Sequence, residues 1–240
     1  MVTFPNNSKV ERHELSNQNY KIDTTKKEVV VVLLSGDFHI NDEYYSRKNV
    51  FIDEPKGFYI ANDGTCELSV PKFAEVCIVE HSSSKKIALT PIDPVRMQTK
   101  LAGFDNFQRR VCTIVDKSSD LENVIIGETF KPRGNWSSWP PHKHDTYTPE
   151  LESMQKEVYL YKFSNTSGFG LQLLYDTTLE DATVKIVRHN QEVKIDKGYH
   201  PVVAAPYADM YYLWVLFGDN KFFAVNFEEL SDVQLTDQLV

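Results

Sequence analysis

Residues 134–145 read GNWSSWPPHKHD. The run opens on a glycine, passes two adjacent prolines and closes on His142 and His144, one residue apart. In a strand, side chains alternate between faces, so residues i and i+2 point the same way. His142 and His144 then share a face, and Lys143 takes the other. Pro140 and Pro141 cannot donate to a sheet ladder, so they lead into the strand. They also limit the conformational entropy lost when the segment is ordered. Two imidazoles at this spacing can bite one metal ion, but the pair alone is a weak signal and needs partners from elsewhere.

Outward from this segment the chain is a string of short β-type runs. Before it come EVVVVLLSG (28–36), NVFIDE (49–54), GFYIAN (57–62), CELSV (66–70), AEVCIVE (74–80), KKIALT (85–90) and NVIIGETF (123–130). After it come EVYLYKF (157–163), FGLQLLYD (169–176), ATVKIVRH (182–189), EVKID (192–196), YYLWVLFG (211–218) and KFFAVNF (221–227). Short aromatic and β-branched segments separated by Gly, Pro, Asn and Asp indicate a sandwich or barrel, not a βαβ fold. No segment holds a helical stripe beyond about three turns. Residues 91–110, PIDPVRMQTKLAGFDNFQRR, are polar and form a connector with a short edge strand or a helical turn. The pattern predicts an all-β chain of two units, roughly 1–100 and 101–240, alike in architecture without a literal repeat.

The totals bound the partners. The 240 residues are 41% hydrophobic and 25% charged, an ordinary globular composition. A formal net charge of -8 argues against nucleic acid or an anionic membrane as partner, since both require basic patches. A few local cations still suffice for a small anionic substrate. No run approaches the ~20 apolar residues of a membrane span. The opening MVTFPNNSKVERHEL lacks the basic-then-apolar pattern of a signal peptide, so a cytoplasmic location is expected. Cys66, Cys77 and Cys112 are odd in number and form no CxxC pair, which suits buried reduced thiols.

Two later residues complete a donor set. Glu157 opens EVYLYKF and, in a strand hairpinned to the histidine strand, reaches the same ion. His200 follows the Gly198 turn in DKGYHPV, at the start of the next strand. Three imidazole nitrogens and one carboxylate oxygen suit a divalent transition metal, with one or two positions left for water or substrate. Taken singly, Glu157 reads as a solvated strand end and His200 as a turn residue; their order, HxH then E then H, favours the metal. His13, His39, His81 and His189 read as surface residues.

That ligand order resembles the cupins, small double-sheet jelly-roll barrels with a metal in the mouth. More narrowly, GNWSSWPPHKHD resembles the signature of the 5-deoxy-glucuronate isomerases of inositol breakdown. EVYLYKF, GFGLQLLY, KGYHPVVAAP and YYLWVLFG agree in order, and VVLLSG, NVFIDEPKGFYI and FQRRV match in outline. The hexuronate isomerases of pectin breakdown share the fold and ligand order, but the GNWSS-type run favours the inositol branch. The resemblance implies a bicupin, two jelly-roll β-barrels in one chain. The first barrel (1–100) has lost its metal ligands, consistent with the absence of HxH there, and the second (101–240) keeps His142, His144, Glu157 and His200. It also implies conversion of 5-deoxy-glucuronate, an aldehyde sugar acid, to the ketone 5-dehydro-2-deoxy-gluconate through an enediol. The metal would be zinc or manganese foremost, with iron or nickel as alternatives.

Some positions depart from the family pattern. Leu173 stands where an arginine is usual, Trp214 where an asparagine is usual, Lys162 for an arginine and Asp196 for a proline. The loss at 173 puts the sugar acid in question, because arginine holds a carboxylate through a fork that lysine cannot reproduce. The sequence names no catalytic base. Strand parity puts Tyr159 and Tyr161 on the face of Glu157, where they line the cavity or pack the barrel. Asp145 is a candidate to orient an imidazole. Gln172 and Tyr212 are candidates for substrate contact, and Arg133 and Lys143 for the substrate carboxylate, although Lys143 should point away from the metal. The alternatives are an isomerase of another uronate, a cupin dioxygenase and a non-catalytic sugar-binding cupin. Open edge strands make a homodimer a further expectation.

Overall fold

The computed structural model describes residues 1–4, 7–92, 97–218 and 221–229. Its strands are β1 (Val2–Thr3), β2 (Lys9–Asp23), β3 (Lys27–Ile40), β4 (Glu43–Arg47), β5 (Lys56–Asn62), β6 (Thr65–Ser82) and β7 (Ile87–Pro91), then β8 (Gln98–Ala102), β9 (Arg109–Val115) and β10 (Val124–Lys131). There follow β11 (Trp136–Ser137), β12 (His142–Lys143), β13 (Lys156–Phe163), β14 (Phe169–Leu174), β15 (Thr183–Arg188), β16 (Glu192–Ile195), β17 (Val202–Ala204), β18 (Met210–Phe217) and β19 (Asn226–Phe227). Among the described residues the only helical turns are two short 3-10 turns, at Asp105–Phe107 and Leu179–Asp181. The chain is therefore all-β, as its segment pattern predicts. No helix among the described residues is long and apolar enough to cross a membrane.

The chain divides into two compact units. One is Met1–Met97 with Ile114–Ile125; the other is Gln98–Thr113 with the described residues from Ile126 onward. The first is built on a seven-stranded sheet ordered β1-β2-β6-β3-β5-β7, with β4 paired to β3. From Val29 to Leu34 both faces of β3 are buried, which is why its sequence is a continuous β-branched run and not an alternation. CELSV and AEVCIVE belong to one strand, the 18-residue β6. Beside it lies β2, a strand in a stretch that reads only as polar. Its ladder runs along β6 from Lys9 opposite Glu80 to Asp23 opposite Thr65, with one irregularity beside Asn17, which takes a left-handed φ of 50°.

Two expected strands are not strands. NVFIDE is a turn: the Asn49 side chain accepts the Phe51 N–H, and the Asn49 carbonyl accepts those of Ile52 and Asp53. Of KFFAVNF only the last two residues pair, as β19; upstream, the Phe222 carbonyl takes the Gln155 side chain and the Ala224 carbonyl takes Ser153. The connector holds both expected features, the edge strand β8 and a 3-10 turn; its residues 93–96 lie outside the described residues.

The second unit has a six-stranded sheet ordered β16-β13-β18-β10-β9-β8, a four-stranded sheet ordered β11-β17-β14-β15, and the pair β12-β19. Tyr159, Tyr161 and Phe163 of β13 point to one face and join Met210 and Tyr212 of β18 with Val187, Val193, Ile195 and Val202 in a single core. β13 pairs with β16 and β18, not with the histidine strand. β12 is only two residues long and pairs with β19, His142 opposite Phe227.

Candidate active site

Three imidazoles from distant segments meet in the second unit. Ring nitrogens of His142, His144 and His200 lie within 4.8 Å of one another. The Glu157 carboxylate joins them, with Oε2 3.2 Å from His144 Nε2 and 3.3 Å from His200 Nε2. His144 lies just past the end of β12, and His200 just before β17. Glu157 is the second residue of β13 and is buried. Hydrogen bonds between backbone N–H and C=O groups close the site without a hairpin: Gln155 N–H donates to the His144 carbonyl at 2.8 Å.

The arrangement suits a metal ion. The Nδ1 of His144 faces the Gln155 carbonyl at 3.2 Å, and the Nδ1 of His200 faces the Gly198 carbonyl at 2.9 Å. Donation from each Nδ1–H fixes the tautomer and leaves each Nε2 lone pair free for a cation. The Nε2 of His200 is fully buried and makes no hydrogen bond, since its approach to Glu157 is misaligned. A buried polar atom without a partner is rare and costly. Nitrogen and oxygen ligands each about 2.1 Å from one ion stand roughly 3.0–3.4 Å apart, which is the spacing between Glu157 and its two histidines.

The charges agree. Burial alone would push the Glu157 carboxyl up, but the neighbouring His144 and His200 overcome it and bring it down to about 2. Burial, and then the two other imidazoles, push His142 well below its ordinary 6.5, so it stays neutral. Burial opposes the protonated form of His144, yet its contact with Glu157 raises it. An anionic Glu157 beside a neutral His142 is the state a divalent cation requires.

A cavity of ≈ 140 Å³ opens beside this cluster. His142 and Glu157 form one part of its lining, and Tyr159, Tyr212, Ser137, Ser138 and Thr129 another. Trp214, Phe223, Val225 and Phe227 supply apolar wall, while Lys100 and Arg109 supply cations. Ser138 and Tyr159 share a hydroxyl hydrogen bond of 2.9 Å, and Ser137 and Tyr212 share another. Burial raises both phenols above their ordinary 10, so they remain O–H donors. The segment ending in β19 covers the histidine side, with Phe227 5.8 Å from the His142 ring and Phe223 5.8 Å from His144.

Other candidates sit elsewhere. Lys143 is turned away and paired with Asp145 at 2.9 Å and Glu152 at 3.1 Å. Arg133 lies exposed and paired with Asp209 at 3.1 Å. Neither lines the cavity. Asp145 touches no imidazole; its carboxylate takes the Gly198 N–H at 2.6 Å and so holds the turn that carries His200. Tyr161 and Gln172 lie beneath the cavity: Tyr161 donates to the Gln172 side chain, whose amide donates to the His200 and Pro201 carbonyls. His81 is buried against Ser8 at 2.7 Å, not on the surface, and His13 and His189 are half-buried; His39 is exposed. Lys100 and Arg109 escaped the sequence reading because both lie in the stretch 91–110 taken as a connector. The alternation of Arg109 and Arg110 on β9 was the available signal.

The family is shown by comparison. The model of the KduI/IolB family matches residues 6–232. The chain belongs to the KduI/IolB family. Among relatives named 5-deoxy-glucuronate isomerase, one from Geobacillus kaustophilus is 30% identical over 84% of this chain and 75% of its own. One from Bacillus subtilis is 28% identical over 86% and 79%. Membership in the KduI/IolB family makes the chain an enzyme of the isomerase class. Its fold is similar to an IolB-like protein of Salmonella typhimurium, with TM-score 0.85 and 23% identity over 92% of this chain and 88% of that one. It is also similar to a cupin 2 conserved barrel domain protein of Leptotrichia buccalis (TM-score 0.52, 12% identity, 91% and 86% covered). An oxalate decarboxylase of Lactobacillus farciminis gives TM-score 0.59 at 9% identity over 94% and 82%. The fold is cupin-like.

Proposed function

We propose that the chain is a metal-dependent aldose–ketose isomerase converting 5-deoxy-glucuronate to 5-dehydro-2-deoxy-gluconate, on a bicupin scaffold whose second unit holds the metal through His142, His144, Glu157 and His200. The observation that carries the reading is the meeting of these four side chains beside a cavity lined with hydroxyls and cations. The name shared by the relatives supports the substrate. Two β units with separate apolar cores support the bicupin.

In the reaction the sugar loses a proton from C2, passes through an enediol and gains a proton at C1. A divalent cation, zinc or manganese by donor type, would supply Lewis-acid polarisation of the C1 and C2 oxygens. The chain itself orients and shields the sugar. Tyr159 and Tyr212, protonated and seated against Ser138 and Ser137, donate to its oxygens. Trp214, Phe223 and Phe227 exclude water, which strengthens each polar contact inside. Tyr161 and Gln172 hold the His200 backbone from below.

The test is NMR of 5-deoxy-glucuronate with the metal-loaded protein in deuterated water, without oxygen. Ketone formation with deuterium incorporation is expected. A bound sugar whose C2 hydrogen never exchanges would leave a sugar-binding cupin, and turnover only with oxygen would leave a dioxygenase. We also propose a homodimer, supported by edge strand β15, where Val184 and Ile186 are exposed. Sedimentation at the monomer mass of 27.7 kDa would contradict it.

A further inference from the structure

The cavity contains a charge that nothing among the described residues balances. Arg109, on β9, is 8% exposed, lines the cavity, and makes one hydrogen bond, from a guanidinium nitrogen to the Phe107 carbonyl at 3.2 Å. Among the described residues it has no carboxylate partner, although the whole chain carries a formal charge of -8. Lys100, on the neighbouring strand β8, lines the same cavity, also without an acidic partner among the described residues. Burial lowers both cations from their ordinary values, and the charge of Arg109 lowers Lys100 further. A buried guanidinium without a counter-charge is costly to keep, which points to an anion supplied from outside.

We propose that Arg109, seconded by Lys100, anchors the carboxylate of the sugar acid, and thereby sets which end of the sugar reaches the histidine cluster. Three other cations of the second unit are engaged elsewhere. Lys131 is buried and gives its ammonium to the Val202 carbonyl at 2.7 Å, and Lys143 and Arg133 are paired with acids. Leu173 lies outside the cavity lining, so the missing arginine at that position does not empty the anchor. Arginine suits the role because its planar fork grips both carboxylate oxygens together. Lys100 adds charge without that geometry. The polar contacts then divide: the carboxylate lies toward Arg109, the hydroxyls toward Tyr159 and Tyr212, and the aldehyde end toward His142 and Glu157.

The proposal rests on the isomerase reading for its choice of ligand, and its test separates the two. Calorimetry on the full-length, metal-loaded protein compares two inert probes: the substrate reduced at C1 to the alcohol, and the same polyol with CH2OH in place of the carboxylate. The native protein should bind the acid at least tenfold more tightly than the neutral polyol. Arg109→Gln should weaken the acid by at least about thirtyfold and leave the neutral polyol unchanged. Arg109→Lys, which keeps the charge and guards against loss of fold, should weaken the acid about tenfold. Lys100→Gln, at an exposed residue, should cost about threefold on the acid alone. Metal content should not change in any variant. Equal affinity of Arg109→Gln and the native protein for the acid, or equal losses on both probes, would overturn the anchor. Arginine-dependent binding of the acid without turnover of 5-deoxy-glucuronate would instead uphold the anchor and remove the isomerase reading.

Discussion

At the scale of single residues, the proposed metal site is four side chains that meet and the groups that position them. His142, His144, Glu157 and His200 were legible in the sequence because each lies in a segment whose type and order are local properties. The groups that aim them were not. Asp145 was read as a partner of an imidazole, but it binds the Gly198 N–H, a contact across 53 positions of the chain. Gln172 was read as a candidate for substrate contact and Tyr161 as lining the cavity or packing the barrel; Tyr161 donates to Gln172, which supports the His200 backbone. His200→Ala should abolish metal retention by the purified protein while circular dichroism stays native; full metal content in that variant would contradict the donor set. Asp145 offers a pH test. Burial would raise its carboxyl, but Lys143 and the Gly198 N–H hold it at about 2, below the ordinary 3.8. A lowered carboxyl stabilises the fold above 3.8, and the contribution is lost as pH falls toward 2. Asp145→Asn should therefore cost about 1 kcal/mol at pH 7, solvent screening included, and almost nothing near pH 2, as read by denaturant unfolding at both pH values.

At the scale of elements, the apolar strands followed their residue patterns, and the polar or very short ones did not. β3 from Val29 to Leu34, β13 from Val158 to Tyr161 and β18 from Met210 to Phe217 are apolar, aromatic or β-branched, so their sequence alone marks them. β2 is marked by none of these; its ladder with β6 holds it, and that partner lies some sixty residues away. β12 and β19 are too short for any pattern, and only their pairing across the site defines them. Gly127 on β10 shows how two strands fix one wall of the cavity. A Cβ built there would stand 2.0 Å from the Trp214 ring, so the indole lies directly against the glycine. Trp214, which replaces the asparagine usual in the resemblance, is thus matched by a residue without a side chain. Gly127→Ala should cost about 1–3 kcal/mol by overpacking and displace the indole. Denaturant unfolding checks the first and tryptophan fluorescence the second; unchanged values for both would show that the contact is loose.

At the scale of the whole molecule, the all-β character was legible, and the two compact units are not divided by a single cut. Residues 114–125 return to the first unit after 98–113 have joined the second. Sequence composition cannot reveal such an exchange, because β9 and β10 resemble the strands of either unit. The same exchange places Arg109 in the second unit, in a stretch taken as a connector. The central claim is that the histidine cluster holds a cation on which isomerisation depends. The direct measurement is turnover of 5-deoxy-glucuronate against moles of divalent metal per chain, in protein stripped by chelator and then reconstituted stepwise. Activity should be absent in the stripped protein and should rise in proportion to metal, saturating at one ion per chain. Full turnover in protein carrying less than about a tenth of an ion per chain would contradict the account.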